Sequence, residues 1–160
     1  MAALAYLGLG ANLGDAVQQI VDARHALQGL SSTISLRCSY LYLSSPVGYA
    51  KQDDFINCVV ELITSAKPIE LLDEMQRIEN EMGRKRVAGN QNAPRLIDID
   101  LLLFDSQTID EPRLSVPHPR LTERLFVLKP LLELLDSTDY QRILNNGDFA
   151  GQQLTRLRLS

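Results

Sequence analysis

Leu96-Ile97-Asp98-Ile99-Asp100-Leu101-Leu102-Leu103-Phe104 places two carboxylates inside an otherwise apolar run. Side chains alternate along a strand, so in that conformation Asp98 and Asp100 share one face, about 7 Å apart along the chain. Leu102 and Phe104 continue that face, and the acids are therefore expected near one end of a covered surface. Two carboxylates in such a setting need cations, because burial without partners is costly. Mg2+, with its preference for oxygen, is the natural candidate. A pair of exposed strand acids balanced by arginines fits the same spacing.

Upstream of this segment, Ala3 to Leu9 reads as a strand, followed by a glycine-bearing turn over Gly10-Ala11-Asn12-Leu13-Gly14. Asp15 is placed to cap a helix in which Ile20, Ala23, Leu27 and Leu30 recur at helical spacing. Ile34 to Leu43 is β-like, with Ile34, Leu36, Cys38 and Tyr40 on one face, and Phe55 to Ile63 is rich in β-branched residues, which predicts a hairpin. Pro68 suits the first turn of a second helix that Gly83 is expected to end. Residues 84 to 94 carry Gly89, amides and Pro94 with almost no apolar anchor, the composition of a mobile surface loop. The resulting order of strand, helix, strand, strand, helix, strand is the split βαβ pattern of an α+β ferredoxin-like fold, an antiparallel sheet with helices packed on it. Residues 120 to 135 add a helical segment interrupted at Pro130, so elements beyond that core are expected in the C-terminal part.

A chain of 160 residues with 45% hydrophobic and 22% charged residues is expected to form one globular domain over 1–160. The start of the chain has neither the length of a membrane helix nor the basic residues of a signal peptide, which predicts a cytoplasmic location. Cys38 and Cys58 lie in apolar contexts without zinc-ligand spacing and read as buried thiols. The net charge of -4 excludes a general polyanion binder, so neither nucleic acid nor a membrane is expected as a partner; a monomer is expected, with a dimer left open. The charge is uneven, however. Residues 84 to 95 carry four basic residues and no acidic one.

Around the acidic strand stand Arg84, Lys85, Arg86 and Arg95 on one side and Arg113, His118, Arg120 and Arg124 on the other. A metal pair faced by guanidinium groups suits a polyphosphate, which needs charge neutralisation and directional hydrogen bonds. His118 is held in Val116-Pro117-His118-Pro119, where two prolines restrict the backbone. Gly8, Gly10 and Gly14 are spaced one residue too long for a dinucleotide fingerprint and lack the P-loop Lys-Ser/Thr, so they read as a structural turn. Ser44-Ser45-Pro46-Val47-Gly48 and Asp54-Phe55-Ile56-Asn57 can set an aromatic face and a side-chain amide around a planar ligand.

From Tyr6 to about Leu135 the sequence resembles the 6-hydroxymethyl-7,8-dihydropterin pyrophosphokinase family. The carrying motifs are Gly8-Leu9-Gly10-Ala11-Asn12-Leu13-Gly14-Asp15, the two segments just named, Gln76-Arg77-Ile78-Glu79 with Gly83-Arg84-Lys85-Arg86, Pro94-Arg95-Leu96-Ile97-Asp98-Ile99-Asp100-Leu101, and Val116-Pro117-His118-Pro119-Arg120 with Arg124-Leu125-Phe126-Val127-Leu128. The resemblance implies a ferredoxin-like domain that transfers pyrophosphate from ATP to the dihydropterin hydroxymethyl oxygen, releasing AMP. It implies two Mg2+ ions on Asp98 and Asp100, phosphate contacts from Arg84, Arg86, Arg95 and His118, and an ATP side lined by Gln76, Glu79, Leu101, Arg113, Ser115 and Arg124. Arg84 and Arg95 join the two aspartates as the expected catalytic set. For the pterin it implies stacking between Phe55 and Phe126, with Asn57 and the chain around Ser44, Ser45 and Val47 reading the ring edge.

The chain departs from many members of that family. It has Asn92-Ala93-Pro94-Arg95 where they carry Trp-Gly-Pro-Arg, it contains no tryptophan, and Phe55 stands where some relatives have tyrosine. Loop closure must then proceed without that indole. A two-metal nucleotidyl transferase or cyclase on a similar sheet is the competing reading of the acidic pair, and the pterin-like segment speaks against it. A silent nucleotide-binding module is a third class, which predicts loss of an acid or a basic residue that this sequence retains.

Overall fold

The structure, a computed structural model, describes residues 1–12, 15–45, 55–86 and 97–158, and of residues 84–86 the backbone alone. Strand β1 (Ala3–Ala11) leads to helix α1 (Ala16–Gln28), then to β2 (Thr33–Cys38), β3 (Tyr42–Ser45) and β4 (Phe55–Thr64). Helix α2 (Pro68–Arg86) precedes β5 (Asp98–Phe104), and a short hairpin of β6 (Ile109–Glu111) and β7 (Leu114–Val116) follows. A 3-10 turn (Leu121–Glu123), helices α3 (Leu125–Leu134) and α4 (Thr138–Asn146) and strand β8 (Gln153–Arg156) complete the described elements.

In the main sheet β5, β1, β4, β3 and β8 lie side by side in that order, and β2 pairs with β4 as well. All these pairings are antiparallel. With β2 and β3 counted as one core strand, the order is that of a ferredoxin-like βαββαβ core, as the pattern predicts.

Alternation along the strands sorts the apolar residues between two helical layers. Ala5, Leu7 and Leu9 of β1, Cys58, Val60 and Leu62 of β4, and Ile97, Ile99 and Leu101 beside or within β5 face α1 and α2, whose Ile20, Leu27, Leu71 and Met75 are fully buried against them. On the other face Tyr6, Val59 and Leu102 pack beneath Leu121, Val127, Leu128 and Leu131 of the 3-10 turn and α3. Each such leucine contributes about 1.5–3 kcal/mol relative to exposure.

The far end of α3 is tied to the sheet by polar contacts. Glu133 accepts hydrogen bonds from Tyr42 Oη at 2.6 Å and Tyr40 N at 3.1 Å. Arg37 donates to both oxygens of Glu61 at 2.8 and 2.9 Å and to the Leu134 carbonyl at 3.3 Å. Tyr6 Oη donates to the same carboxylate at 2.9 Å. The Arg37 guanidinium holds the Glu61 carboxyl below its ordinary range.

Several sequence expectations are corrected. The stretch Ile34 to Leu43 is not one strand: an irregularity between Thr33 and Ser35 leaves Ile34 59% exposed, and Tyr40, equally exposed, lies between β2 and β3. Gly83 does not end α2, which continues to Arg86, because its backbone does not take the left-handed turn by which a glycine closes a helix. Residues 84–86 of the expected loop are thus helical, and its remainder lies outside the described residues. Pro130 sits inside α3 without ending it, because the packing of its buried ring beside Leu131 outweighs one missing N–H. Asp15 caps α1 as expected, its Oδ1 accepting from Gln18 N at 3.1 Å. Cys58 is buried, whereas Cys38 is only partly so.

Leu128 is completely buried between α3 and the sheet. Leu128→Ala is expected to lower stability by about 2–5 kcal/mol, read as a lower urea midpoint with an unchanged slope.

Candidate active site

Helix α3 does not cover its whole face of the sheet. Beyond its first turn a cavity of about 400 Å³ remains, within the usual size for a small-molecule site. Its floor is the sheet: Gly8 and Gly10 of β1, Asn57 of β4, and Asp98 and Asp100 of β5. Phe55 enters from the start of β4, and Arg124 and Phe126 from the start of α3. Ser44 and Ser45 close the β3 end, joined by Gln152, Gln153 and Leu154.

The glycines at the floor are strand residues, not the expected turn. Gly10 pairs with both Asn57 and Asp98, and β1 runs on to Ala11, while residues 13 and 14 lie outside the described residues. A Cβ at Gly10 would stand 3.1 Å from Asn57 Oδ1, closer than a side chain is comfortably tolerated. Asn57 is buried and directed by its own amide, whose Nδ2 donates to Ser44 Oγ at 2.7 Å. The glycine therefore keeps open the space beside a preset amide.

Asp98 and Asp100 do share a face, both exposed, while Ile97, Ile99 and Leu101 point the other way. The expected continuation holds only to Leu102. A bulge where Tyr6 pairs with Leu103 and Leu7 with Leu101 reverses the alternation, so Phe104 joins the α1–α2 core instead. Leu101, expected on the nucleotide side, is likewise buried in that core.

Of the other residues expected on the ATP side, Arg124 lines the cavity, whereas Gln76, Glu79, Arg113 and Ser115 lie away from its lining. Glu79 Oε2 accepts from Ile99 N at 2.8 Å along the outer edge of β5. Arg113 donates to Asp73 at 2.6 Å and to Gln76 Oε1 at 3.2 Å, joining the β6–β7 hairpin to α2, and Ser115 is exposed on β7. The acids of β5 thus stand between the cavity and this outer edge. His118 N donates to the Leu102 carbonyl at 2.9 Å, and its Nδ1 accepts from Arg120 N at 3.1 Å. Burial, with Arg124 and Arg120 nearby, holds its pKa below the ordinary value although Asp100 opposes this, and the neutral ring then carries its proton on Nε2. Val47 and Arg95, and the side chains of Arg84 and Arg86, lie outside the described residues.

Sequence reading missed the C-terminal wall. Gln152, Gln153 and Leu154 belong to a short polar run brought to the cavity by the pairing of β8 with β3, Gln153 opposite Ser45 and Leu154 opposite Ser44. It also left Arg120, which lines the cavity, out of the expected ligand set.

An antiparallel ferredoxin-like sheet with an acidic pair at the rim of an aromatic-walled cavity places the chain among α+β proteins with a small-molecule site. A family model, 7,8-dihydro-6-hydroxymethylpterin-pyrophosphokinase, matches residues 6–136. The chain is 42% identical over 148 residues to the 2-amino-4-hydroxy-6-hydroxymethyldihydropteridine pyrophosphokinase of Bacillus subtilis, covering 92% of this chain and 87% of that one. To the enzyme of the same name from Pseudomonas aeruginosa it is 44% identical over 129 residues, 81% of this chain and 78% of that one. Among solved structures, wild-type Plasmodium falciparum HPPK-DHPS with pteroate aligns with a TM-score of 0.67 at 17% identity, over 91% of this chain and 42% of that one. An HPPK-DHPS in complex with substrates aligns at 0.66 and 14%, over 89% and 43%. The chain spans less than half of these two structures, which share its fold. The chain belongs to the 7,8-dihydro-6-hydroxymethylpterin-pyrophosphokinase family.

Gly10→Ala is expected to displace the Asn57 side-chain amide and weaken its bond to Ser44, at a cost of about 1 kcal/mol. The shift of the Asn57 side-chain amide resonance in a nitrogen-correlated NMR spectrum, with thermal unfolding, checks this.

Proposed function

We propose that the cavity and the acidic rim together carry out the family reaction, with the dihydropterin in the cavity and ATP along the outer edge of β5. Family membership makes the chain a pyrophosphokinase that uses ATP to pyrophosphorylate the hydroxymethyl group of 6-hydroxymethyl-7,8-dihydropterin in folate biosynthesis. Its substrates are small molecules, and no helix among the described residues is long and apolar enough to cross a membrane. The observation that carries the assignment of the site is the meeting of Phe55, Asn57 and Phe126 with Asp98 and Asp100 around one cavity.

Phe55 from the sheet and Phe126 from the helix above it offer two aromatic faces to a flat heterocycle. Asn57, its Nδ2 engaged by Ser44, is oriented to read the ring edge, with Ser45 at that end; the family resemblance assigns Val47 to the same task. The hydroxymethyl arm then points towards the acids of β5. Asp98 and Asp100 fit Mg2+: both are exposed carboxylates on one face, and among the described residues no third histidine, cysteine or acid joins them. Such a donor set suits an ion that takes its remaining ligands from water and phosphate. We assign two ions to it, which when bound supply neutralisation of the triphosphate charge.

Arg124 lies over the Phe126 ring at 5.6 Å, so one guanidinium serves both the ring and the anion beyond it. His118, with its proton on Nε2, is a phosphate donor that needs no titration. Arg84, Arg86 and Arg95 are assigned to the phosphates, and Gln76, Glu79, Arg113 and Ser115 to the nucleotide side; the side chain of Leu101, buried in the α1–α2 core, is not among them. No side chain is required as a covalent nucleophile, because positioning and charge neutralisation supply most of the catalysis in such transfers. The chain is assigned one domain, a monomeric state, a cytoplasmic location and no nucleic-acid partner.

Purified protein with Mg2+, ATP and 6-hydroxymethyl-7,8-dihydropterin is expected to form AMP and pterin pyrophosphate in equal amounts by chromatography. ADP as the nucleotide product overturns the reading. Asp100→Asn is expected to lower kcat at least about a hundredfold by weakening charge neutralisation at the reacting phosphates, and near-normal turnover removes Asp100 from the mechanism.

A further inference from the structure

Helix α3 carries Phe126 and Arg124 to the cavity, yet its N-terminus has no cap of its own. Arg124 occupies the N-cap position and makes no side-chain capping bond. Helix starts leave backbone N–H groups without intrahelical partners. The one at Leu125 is satisfied from far along the chain: it donates to Gln152 Oε1 at 2.9 Å across 27 residues. The same amide reaches back in the opposite sense, Gln152 Nε2 donating to the Glu123 carbonyl at 2.9 Å. One side chain thus brackets both peptide groups flanking Arg124.

Gln152 immediately precedes β8, which is hydrogen-bonded to β3 along the register Ser44 with Leu154 and Ser45 with Gln153. Its Cα is therefore anchored to the sheet edge that forms the Ser44 end of the cavity. At its other end α3 is already held by Glu133 and Arg37. The helix is pinned at both ends, and the pin at the cavity end is an amide whose oxygen and one N–H are each aimed at a backbone group of the matching kind.

We propose that Gln152 is a positioning residue for the pterin end of the site: it clamps the start of α3 to the β8 edge and thereby sets Phe126 and Arg124 against the sheet. It lies beyond residue 136, where the family match ends, in a segment that the motifs do not reach. Both polar atoms of the amide are engaged by the backbone at 2.9 Å, and the role assigned to Gln152 is exerted through the helix. Among the described residues its hydrogen bonds go to Leu125, Glu123 and Phe149, away from the outer edge of β5. Its influence is accordingly largest on the pterin, which stacks on Phe126, and reaches ATP only through Arg124. This inference rests on the placement of the pterin in the cavity.

Gln152→Leu removes both bonds at nearly constant volume. The expected result is an increase of about tenfold in KM for the dihydropterin, with a clearly smaller rise in KM for ATP. The same weakening of pterin affinity is expected from fluorescence titration without ATP. Gln152→Glu keeps an acceptor for Leu125 N, loses the donor to the Glu123 carbonyl, and is expected to fall between the two proteins. Because it retains half of the clamp, it also serves if the leucine variant does not fold, as judged by circular dichroism.

A Gln152→Leu protein with wild-type KM for both substrates overturns the positioning role, as does an equal rise in both constants. A lower melting temperature with unchanged pterin affinity assigns Gln152 to stability alone and also overturns it. If the wild-type protein neither binds nor turns over the dihydropterin, the assignment of the cavity fails first and this inference falls with it. Wild-type turnover with an indifferent Gln152 removes only the inference.

Discussion

A strand that presents carboxylates at two alternate positions cannot lie wholly beneath a helix, because neither acid tolerates burial without compensation. This constraint on β5 governs how the second face of the sheet is used. Helix α3 covers Tyr6, Val59 and Leu102 and leaves uncovered the part of the face that holds Gly8, Gly10, Asn57, Asp98 and Asp100. The cavity is the remainder of an incomplete layer. Among the described residues the core of the α1–α2 face holds no such acids and is packed by apolar side chains.

The bulge between β1 and β5 serves the same requirement. Without it, Asp98, Asp100, Leu102 and Phe104 would form one continuous row, with acids and large apolar groups competing for a single environment. Reversing the alternation after Leu102 sends Phe104 to the opposite core and lets Leu103 pack beside the α3 layer. The apolar part of β5 is thereby shared between two cores, while the acidic part stays at the rim.

Placement of the aromatic and basic ligands depends on α3 as a rigid body. Its far end is fixed by a charged and phenolic network through Glu133, Arg37 and Glu61, and its near end by the Gln152 amide. Phe126 and Arg124 inherit their positions from both. A site built in this way is assembled from segments well separated in the chain, and the last of them comes from the short strand added at the sheet edge.

Much of the core was legible because its causes are local. The alternation of Asp98 and Asp100, the cap at Asp15, the helical spacing of Ile20, Ala23 and Leu27, and the order of strands and helices follow from side-chain periodicity and turn chemistry. The placing of Phe55, Asn57 and Phe126 came instead from family motifs, which record a site without showing its construction. What the sequence could not express was pairing. Whether Gly10 ends a strand or floors a cavity depends on Asn57 lying opposite it. Whether Phe104 follows Asp100 depends on a register shift against Tyr6 and Leu7, and whether a polar tail residue caps a helix depends on β8 lying beside β3. The sequence by itself determined the elements, the acidic pair and the family. The tertiary structure decided which face each residue shares and how α3 is held over the sheet, since long-range hydrogen bonds and strand register join residues whose relation leaves no period in the chain.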